Sequence, residues 1–361
     1  MVLDHITLST FRNHADSRLD GTCQFNLLVG DNGAGKTNIM EALSLFAPGR
    51  GLRRASLTEM AGQYGDGGFT VGASLIADTG QDAVRLGTYI NAARPGRRLV
   101  RVNGSDASAV SLGEWLAIGW LTPAMDRLFT DSAGARRRFV DRMVLAIDPS
   151  HARAAARYEA SLRERNRLLG DEREPEPAWL DGVEAHLAEY GAALSAGRAR
   201  LISALMQELA TLPEEPFARP ALSYKAGGPL LQADLAEALQ QNRRKDRAAS
   251  RTLIGPHRDE LGVHMAGKSA PAALCSTGEQ KAMLIAIILA HSQLATRGRP
   301  NVLLLDEVAA HLDPIRRDAL FDRLRGSGAQ VWLTGTELAP FAAIQGDAAI
   351  WRIDGGEAMR I

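Results

Sequence analysis

Eight consecutive residues fit the pattern of a phosphate-binding P-loop. They are, in order, Gly30, Asp31, Asn32, Gly33, Ala34, Gly35, Lys36 and Thr37. Glycines let successive backbone N–H groups converge on a phosphate, and the start of a following helix adds its positive dipole. Lys36 would reach the β- and γ-phosphate oxygens, and the Thr37 hydroxyl would ligate Mg²⁺. The segment therefore predicts a cradle for the phosphates of a nucleotide.

A second stretch places two carboxylates after an apolar run. Residues 302–305 read Val-Leu-Leu-Leu, and Asp306 and Glu307 follow them, which is the form of a Walker B element. Asp306 would hold Mg²⁺, directly or through water, opposite Thr37, and Glu307 would orient and polarise the attacking water. Alone, the pattern also fits an ordinary strand end. Together with the P-loop it indicates nucleotide hydrolysis.

A third stretch, residues 276–281, precedes an apolar helix that the pattern predicts from Ala282 to His291. Ser276 and Glu279 have the spacing of a capping box, so an ordinary helix start explains these two residues. It explains Gly278 and Gln280 less well. The functional alternative is that this helix N-terminus offers N–H groups, Ser276 and positive dipole to a γ-phosphate held by another subunit.

The elements that position the P-loop are also visible in the sequence. Residues 25–29, Phe-Asn-Leu-Leu-Val, predict a buried strand before the loop. After the loop, Ile39, Ala42, Leu43 and Phe46 recur at the spacing of one helix face. Strand, glycine loop and helix thus follow in the order that phosphate binding needs, which predicts an α/β fold.

The remaining sequence predicts how this domain is divided. Residues 1–29 predict a small antiparallel entry, and the short strand-like pieces of residues 68–104 predict a β-meander. Residues 135–206 are helical in pattern, broken at 148–149 and 170–177, which predicts an antiparallel helical arm. Strand and helix alternation returns near residue 250. We therefore predict an ATPase domain formed by residues 1–120 and 250–361, with a helical arm inserted at 121–249.

Composition restricts the class of protein. The 361 residues carry 42 basic and 42 acidic side chains, so the net charge does not indicate a nucleic-acid partner. Two cysteines cannot form a disulfide framework. The apolar runs are shorter than the ~20 residues of a membrane-spanning helix, and the N-terminus lacks a signal-peptide pattern. We expect a cytoplasmic protein without membrane contact.

Local clusters of basic residues are the candidates for contact with DNA phosphates. Each cluster also fits a solvated or internally paired face. The clusters are Arg50, Arg53 and Arg54; Arg94, Arg97, Arg98 and Arg101; Arg136, Arg137 and Arg138; and Arg243, Arg244, Lys245, Arg247 and Arg251.

Taken together, these motifs resemble the ABC-type ATPase heads, and specifically the RecF family of DNA replication and repair proteins. The resemblance spans nearly the whole chain and implies an α/β fold, an ABC-type P-loop ATPase head with an inserted helical lobe. Beyond the motifs already given, it is carried by residues 11–13, Asn38, residues 41–42, residues 49–50, residues 136–141, residues 165–166 with 168–169, and residues 254–259.

The resemblance implies a function that spacing and composition do not show. It implies an ATP-dependent homodimer in which each site joins the Walker motifs of one subunit to Ser276, Gly278 and Gln280 of the other. Such proteins bind DNA while ATP holds them together and hydrolyse ATP slowly. They cooperate with RecR and RecO in placing RecA on gapped DNA. By similarity, Arg12 and Asn13 approach the nucleotide.

Two departures from the pattern stand beside the resemblance. The loop after Walker B commonly reads Ser-Glu-Leu-Asp in the family, whereas this chain has Ala310, His311, Leu312 and Asp313. Residues 334–336, Thr-Gly-Thr, stand where many ABC proteins place a switch histidine.

Two other classes of protein share the Walker motifs. The nucleotide-binding subunit of a membrane transporter is one alternative, but a long arginine-rich helical insertion separates Thr37 from Ser276 where a transporter subunit would have a shorter interval. An SMC-like structural ATPase is the other. Its extended coiled coil would need a longer helical arm than residues 135–206 provide.

Overall fold

The computed structural model describes residues 1–62, 65–76, 83–94, 96–173, 175–213, 215–296, 299–309 and 312–361. The chain divides into two compact units. Unit 1 comprises Met1–Asp126, Pro213–Phe217 and Leu284–Ile361, and unit 2 comprises Arg127–Leu212 and Ala218–Met283. Along the chain, unit 2 therefore interrupts unit 1.

The strands and helices follow in chain order. The strands are β1 (Val2–Phe11), β2 (His14–Leu19), β3 (Phe25–Val29), β4 (Phe69–Ile76), β5 (Val84–Ile90), β6 (Arg98–Val102), β7 (Ser105–Ala107), β8 (Ala117–Leu121), β9 (Pro220–Lys225), β10 (Glu260–Met265), β11 (Ala270–Pro271), β12 (Asn301–Leu305), β13 (Gln330–Gly335), β14 (Ala348–Asp354) and β15 (Glu357–Arg360). The α-helices are α1 (Lys36–Ser44), α2 (Leu57–Met60), α3 (Leu112–Trp115), α4 (Ala133–Ile147), α5 (His151–Gly170), α6 (Pro177–Thr211), α7 (Gln232–Gln241), α8 (Arg243–Ala248), α9 (Thr277–Ala295) and α10 (Pro314–Gly326).

A mainly parallel sheet in unit 1 positions the predicted motifs. Its strand order is β15-β14-β3-β13-β12-β8, with β15 antiparallel at one edge. β3 and β12 are buried along their whole length, as their apolar runs predict. Because β3, β13 and β12 are parallel neighbours, their carboxyl ends lie at the same edge of the sheet. The segments that follow these three strands are therefore brought close together.

A second sheet in unit 1 is antiparallel, with strand order β2-β1-β4-β5-β6-β7. The β1–β2 pair confirms the antiparallel entry predicted for residues 1–29. The consecutive pairs β4–β5, β5–β6 and β6–β7 confirm the meander. Asn103 and Gly104 turn the chain between β6 and β7 with φ of 49° and 82°, which is the left-handed conformation that an Asn-Gly turn supplies.

The core of unit 1 draws apolar side chains from both sheets and from α1. Phe11 and Phe69 pack edge to face with ring centroids 5.0 Å apart, and Trp332 stacks on Trp351 at 5.6 Å. The predicted apolar face of α1 is buried here, with Ile39 fully excluded from solvent. Each such side chain contributes about 1.5 to 3 kcal/mol by leaving water.

Unit 2 contains the predicted helical arm. Helices α4, α5 and α6 are separated at residues 148–150 and 171–176, close to the breaks that the sequence indicates. α6 is 35 residues long and continues to Thr211, past the predicted end. A small antiparallel sheet of order β11-β10-β9 completes the unit. Within the described ranges, each helix is too short or too polar to traverse a lipid bilayer.

A buried arginine ties the elements of unit 2 together. Arg165 in α5 is fully buried and donates to Glu184 at 2.9 Å and to Asp246 at 2.6 Å. It also donates to the Thr252 hydroxyl at 2.8 Å and to the Leu239 carbonyl at 2.9 Å. Every nitrogen of this guanidinium therefore has a partner, as a buried charge requires.

Candidate nucleotide-binding site

The P-loop follows β3 and leads into α1, as the sequence predicts. Gly30 has φ of 153°, and a Cβ there would lie 2.1 Å from the carbonyl oxygen of Ile353 in β14. Gly35 has φ of 121°, and a Cβ there would lie 2.8 Å from the His14 ring nitrogen Nε2. Both positions thus exclude a side chain, because the loop runs directly against neighbouring segments.

Lys36 is folded back over its own loop. Its Nζ donates to the carbonyls of Gly30 at 2.6 Å and Asp31 at 2.7 Å. Burial lowers the pKa of Lys36, while the nearby charges of Glu307, Asp306 and Asp31 oppose that shift. Two loop carbonyls are weaker partners for an ammonium group than anionic oxygens are. Phosphate oxygens placed in the loop can therefore replace them.

Thr37 and Asp306 meet although they are far apart in the sequence. Thr37 Oγ1 donates to Asp306 Oδ1 at 3.1 Å. Burial raises the pKa of Asp306, and hydrogen bonds from Thr334 and Thr37 oppose the shift. A hydroxyl and a carboxylate fit Mg²⁺, which usually keeps several waters and takes one or two carboxylates together with substrate phosphates. The two oxygens assigned to the metal from the sequence are therefore adjacent.

Glu307 directly follows Asp306 and has an unusual backbone. Its φ is 55°, a left-handed conformation that costs a residue other than glycine on the order of 1 to 2 kcal/mol. Its backbone N–H donates to Thr334 Oγ1 at 2.8 Å. The side chain is half-buried, so it is open to a reactant beside the loop. Strain of this kind is common at functional sites.

Thr334 is a site residue that the sequence did not reveal. In the sequence, residues 334–336 are distinguished only by the lack of a switch histidine. The structure shows that the Thr334 hydroxyl contacts both Walker B residues. A threonine near the end of a strand is too common to carry a signal. Thr336 lines a cavity of about 370 Å³ that Gly30, Asp31 and Arg352 also line.

Asn13 and Arg12 contact different parts of the P-loop segment. The Asn13 side chain donates to the Ala34 carbonyl at 2.9 Å and accepts from Asn38 at 2.7 Å. Arg12 forms a two-pronged ion pair with Glu41 in α1, at 2.8 and 2.9 Å. Asn13 thus contacts the loop itself, whereas Arg12 contacts the helix that begins with Lys36.

Glu41 is a second residue whose part in the site was missed. Its side chain is completely buried and accepts from both Arg12 and Arg53. Arg53 also donates to Asn38 at 2.7 Å. The available signal was an acidic residue between apolar positions of α1, since buried carboxylates in proteins are paired. The two arginines therefore join the segments around residues 12 and 53 to α1.

The predicted signature residues belong to unit 2. Ser276 Oγ accepts from the Glu279 N–H at 3.3 Å, and Glu279 accepts from the Ser276 N–H at 2.9 Å, which completes the capping box. Gln280 donates to the Cys275 carbonyl at 2.9 Å. Ser276 and Gly278 are exposed. The cap therefore exists, and its exposed N-terminus leaves the phosphate-binding alternative open.

The structure thus joins part of the predicted constellation. The loop from Gly30 to Thr37, Asn13, Asp306 and Glu307 lie together in unit 1, whereas Ser276, Gly278 and Gln280 are in unit 2. In the loop after Walker B, Ala310 and His311 lie outside the described residues. Leu312 is buried, and Asp313 caps α10 by accepting from the Arg316 N–H at 2.9 Å.

The structure corrects one candidate for DNA contact. Arg98 is largely buried and donates to the carbonyls of Leu45 and Gly49 and to the Thr88 hydroxyl. Burial lowers the pKa of Arg98 to about 10. Because its donors are engaged within unit 1, Arg98 supports the segment after α1 and is not a phosphate contact.

Other members of the basic clusters are paired with acidic side chains. Arg136 contacts Glu260 at 2.6 Å, and Arg243 contacts Glu184 at 2.6 Å. These pairs favour the structural alternative for part of each cluster. Two exposed members, Arg53 and Arg101, pair with Glu41 and Asp106. The other exposed members are the better candidates for phosphate contact: Arg50, Arg54, Arg94, Arg97, Arg138, Arg244, Lys245 and Arg251.

Comparison with known proteins adds independent information. The family model described as RecF/RecN/SMC N terminal domain matches residues 2–342. A protein named DNA replication and repair protein RecF, from Mesorhizobium japonicum, is 44% identical over 367 residues, which cover 98% of this chain and 96% of that protein. A protein of the same name from Brucella suis biovar 1 is 45% identical over 366 residues, covering 98% of this chain and 94% of that protein.

Solved structures agree on the fold. The recombination mediator protein RecF-ATPrS of the RecFOR pathway superposes with a TM-score of 0.87 at 23% identity, over 100% of this chain and 98% of that chain. The Smc head domain from Pyrococcus furiosus superposes with a TM-score of 0.55 at 16% identity, over 99% of this chain and 95% of that chain. The predicted fold class, an α/β ABC-type ATPase head, is confirmed.

Proposed function

The chain belongs to the RecF family of the RecF/RecN/SMC proteins, and on this premise we propose that it is an ATP-dependent DNA-binding protein of recombinational repair. The observation that carries the proposal is the meeting of Thr37, Asp306 and Glu307 beside the P-loop. Full-length relatives named DNA replication and repair protein RecF support the repair role. The proposed site of action is DNA in the cytoplasm.

The residues of unit 1 have distinct roles in this proposal. The backbone N–H groups of the P-loop and Lys36 hold the β- and γ-phosphates of ATP. Thr37 and Asp306 would hold Mg²⁺, which when bound would neutralise charge on the phosphates. Glu307 orients the attacking water. Asn13 keeps the loop in place through its bond to Ala34, and Arg12 supports α1 through Glu41.

A second copy of the chain completes the site in this proposal. The exposed N-terminus of α9 offers backbone N–H groups and positive dipole, which favour an anion. Ser276, Gly278 and Gln280 of one subunit would face the γ-phosphate held by Lys36 of the other. ATP would then join the two subunits, and its slow hydrolysis would release them.

DNA, RecR and RecO are the proposed partners. The recombination mediator protein of the RecFOR pathway that shares this fold supports the latter two, and the family resemblance supports placement of RecA on gapped DNA. DNA would contact exposed arginines, because phosphate neutralisation needs cations that lie on a surface. The exposed members of the basic clusters meet that condition.

The test is nucleotide-dependent DNA binding. The wild-type protein is titrated with gapped, single-stranded and duplex DNA in ATP, ADP or no nucleotide, beside Lys36→Ala and the control Lys225→Ala, which changes an exposed lysine. We expect ATP to strengthen binding of the wild type and of Lys225→Ala, and Lys36→Ala to lose the ATP response. Affinity should fall steeply as salt rises. An ATP response that survives in Lys36→Ala, or a flat salt dependence, contradicts the proposal.

A further inference from the structure

Thr334 near the end of β13 connects the two Walker B residues through one hydroxyl group. Its Oγ1 lies 2.8 Å from the Glu307 nitrogen and 2.8 Å from Asp306 Oδ1. A backbone N–H can only donate, so the hydroxyl accepts from Glu307 and gives its single hydrogen to the carboxylate. Thr334 is 1% exposed, so water does not compete for these bonds. Both hydrogen-bonding directions of the hydroxyl are therefore fixed by the protein.

The bond to Glu307 holds a strained peptide. With φ of 55°, Glu307 lies in a region that residues with a Cβ rarely adopt, and the direction of its carboxylate depends on that backbone. The Thr334 oxygen accepts a hydrogen bond from the Glu307 N–H and so stabilises the strained backbone conformation. Without the bond, the backbone can relax toward the common region and carry the carboxylate away from its present direction.

The bond to Asp306 acts on the other member of the pair. Asp306 Oδ1 also accepts from Thr37 at 3.1 Å. In the proposed nucleotide complex Thr37 would hold Mg²⁺, and the hydrogen bond from Thr334 would remain to orient Asp306. Hydrogen bonds to a carboxylate are among the stronger ones in proteins. A single hydroxyl thus fixes the positions of the metal ligand and of the water-orienting group relative to each other.

We propose that Thr334 is a positioning residue for ATP hydrolysis, which couples Asp306 to Glu307 through its buried hydroxyl. The inference rests on the proposed ATPase function. The simpler explanation is that Thr334 only satisfies a buried N–H next to a strand end. The two explanations differ in what they expect of turnover when nucleotide affinity and folding are unchanged.

The experiment compares two replacements at position 334 with a matched control. Thr334→Val removes the hydroxyl and keeps the shape, and Thr334→Ser keeps the hydroxyl. Thr88→Val is the control, because Thr88 is a fully buried threonine in β5 whose hydroxyl accepts from Arg98 at 2.9 Å. For each protein, kcat of ATP hydrolysis, Kd for ATP, the Mg²⁺ dependence of kcat, thermal unfolding and hydrogen exchange of the Glu307 amide are measured.

We expect Thr334→Val to lower kcat about 10- to 100-fold, the loss of one bond to a charged group. Its Kd for ATP should stay within about threefold of the wild type, since Lys36 and the P-loop are untouched. The half-saturating Mg²⁺ concentration and Glu307 amide exchange should both rise. Thr334→Ser should restore kcat to within about threefold of the wild type, and Thr88→Val should keep kcat while it lowers the unfolding temperature.

Other results overturn the inference. Wild-type kcat in Thr334→Val shows that the hydroxyl is not needed, and loss of kcat in Thr334→Ser as large as in Thr334→Val shows that the hydroxyl is not what matters. Equal losses in Thr88→Val indicate a general effect of destabilisation. These failures leave the proposed ATPase function intact, because wild-type turnover is measured in the same series. A wild type that neither binds nor hydrolyses ATP overturns both proposals.

Discussion

The P-loop site of unit 1 and the Arg165 cluster of unit 2, which is Arg165 with Glu184, Asp246 and Thr252, both contain basic and acidic side chains. The two regions differ in how strongly those side chains are bound by the protein itself. In unit 2, each guanidinium nitrogen of Arg165 donates to Glu184, Asp246, Thr252 or a backbone carbonyl. In unit 1, Lys36 donates, among the residues that the structure describes, only to carbonyls of its own loop, and Glu307 is half-exposed. A cluster with all its partners in the protein stabilises a fold, whereas one held by weak partners can exchange them for a ligand.

A network that resembles the Arg165 cluster lies elsewhere in unit 2. Arg198 donates to Asp141 at 2.8 and 2.9 Å and to Asp259 at 2.8 Å. The Tyr224 hydroxyl donates to Asp259 as well. Residues 141, 165 and 259 carry part of the family resemblance, and in this structure they hold helices and strands of unit 2 together. Internal pairing within unit 2 therefore accounts for the charge of these three residues.

The largest expected effect concerns Glu307 at the P-loop site. Glu307→Gln should lower ATP turnover on the order of 10²- to 10⁴-fold, because an amide cannot act as the general base for water. Its folding should be unchanged, since the replacement keeps the shape of a half-exposed side chain. Glu337→Gln is the control, an exposed carboxylate of the cavity beside Gly30. Normal turnover in Glu307→Gln would remove Glu307 from the water-orienting role.

The next largest effect concerns the Arg165 cluster of unit 2. Arg165→Met should destabilise unit 2 by about 3 to 5 kcal/mol, because Asp246 stays buried without its arginine partner and Glu184 keeps only Arg243. Arg163→Met is the control: Arg163 is 68% exposed and pairs with Glu159 at 3.3 Å, so its loss should cost less than about 0.5 kcal/mol. Amide hydrogen exchange of α5 and α6, compared with β3, measures each unit separately. Equal changes in the two variants would contradict the distinction between the regions.

A smaller effect concerns Ser276, whose side chain caps α9 and is nevertheless exposed to solvent. Ser276→Asp keeps a capping oxygen, so the stability of α9 should change by only a few tenths of a kcal/mol. Its charge would repel a γ-phosphate by about 1 to 4 kcal/mol at a separation near 4 Å. ATP-dependent dimerisation, measured by light scattering, should therefore weaken at least about fivefold. Dimerisation equal to the wild type would leave capping as the role of Ser276.

The smallest effect is a pH dependence within unit 2. His257 accepts from the Tyr158 hydroxyl and donates to the Thr252 carbonyl, which fits a neutral ring. Burial, with Arg258 and Arg137 nearby, lowers the pKa of His257. The unfolded chain then binds the proton more readily, so stability is full above about pH 6.5 and falls as the pH drops toward the folded pKa. The slope for one proton is at most about 1.4 kcal/mol per pH unit.

His257→Gln should reduce this acid sensitivity. Hydrogen-exchange protection of α5 and α6 at pH 8, 6.5 and 5 gives the pH dependence of the stability of unit 2 for each protein. Because only helices of unit 2 are measured, His14 does not contribute to the result. His14 lies in unit 1, and burial lowers its pKa as well. An identical slope in the variant and the wild type would show that His257 does not titrate with folding.

Local patterns predicted the parts of the site that are contiguous in the sequence. The strand, loop and helix around Gly30 to Thr37 were found because glycine spacing and apolar periodicity are short-range signals. The strand that ends before Asp306 and the capping box at Ser276 were found for the same reason. The meander and the breaks in the helical arm also depend on local turn and breaker residues.

Contacts between distant segments could not be predicted in the same way. The bond of Thr334 to Asp306 exists because β12 and β13 are neighbours in the sheet, and the pairing of Arg12 with Glu41 exists because β1 ends beside α1. Arg98 was grouped with surface arginines because sequence does not distinguish a buried guanidinium that donates to carbonyls from an exposed one. Tertiary packing decides between these environments.

In the proposed function, ATP at the P-loop site joins two copies of the chain. Sedimentation velocity of the wild type and of Glu307→Gln, each with ATP, ADP or no nucleotide, tests it most directly. We expect monomers without nucleotide and with ADP, dimers with ATP, and a longer-lived ATP dimer for Glu307→Gln. Monomers under all conditions, or dimers that form equally without ATP, would contradict it.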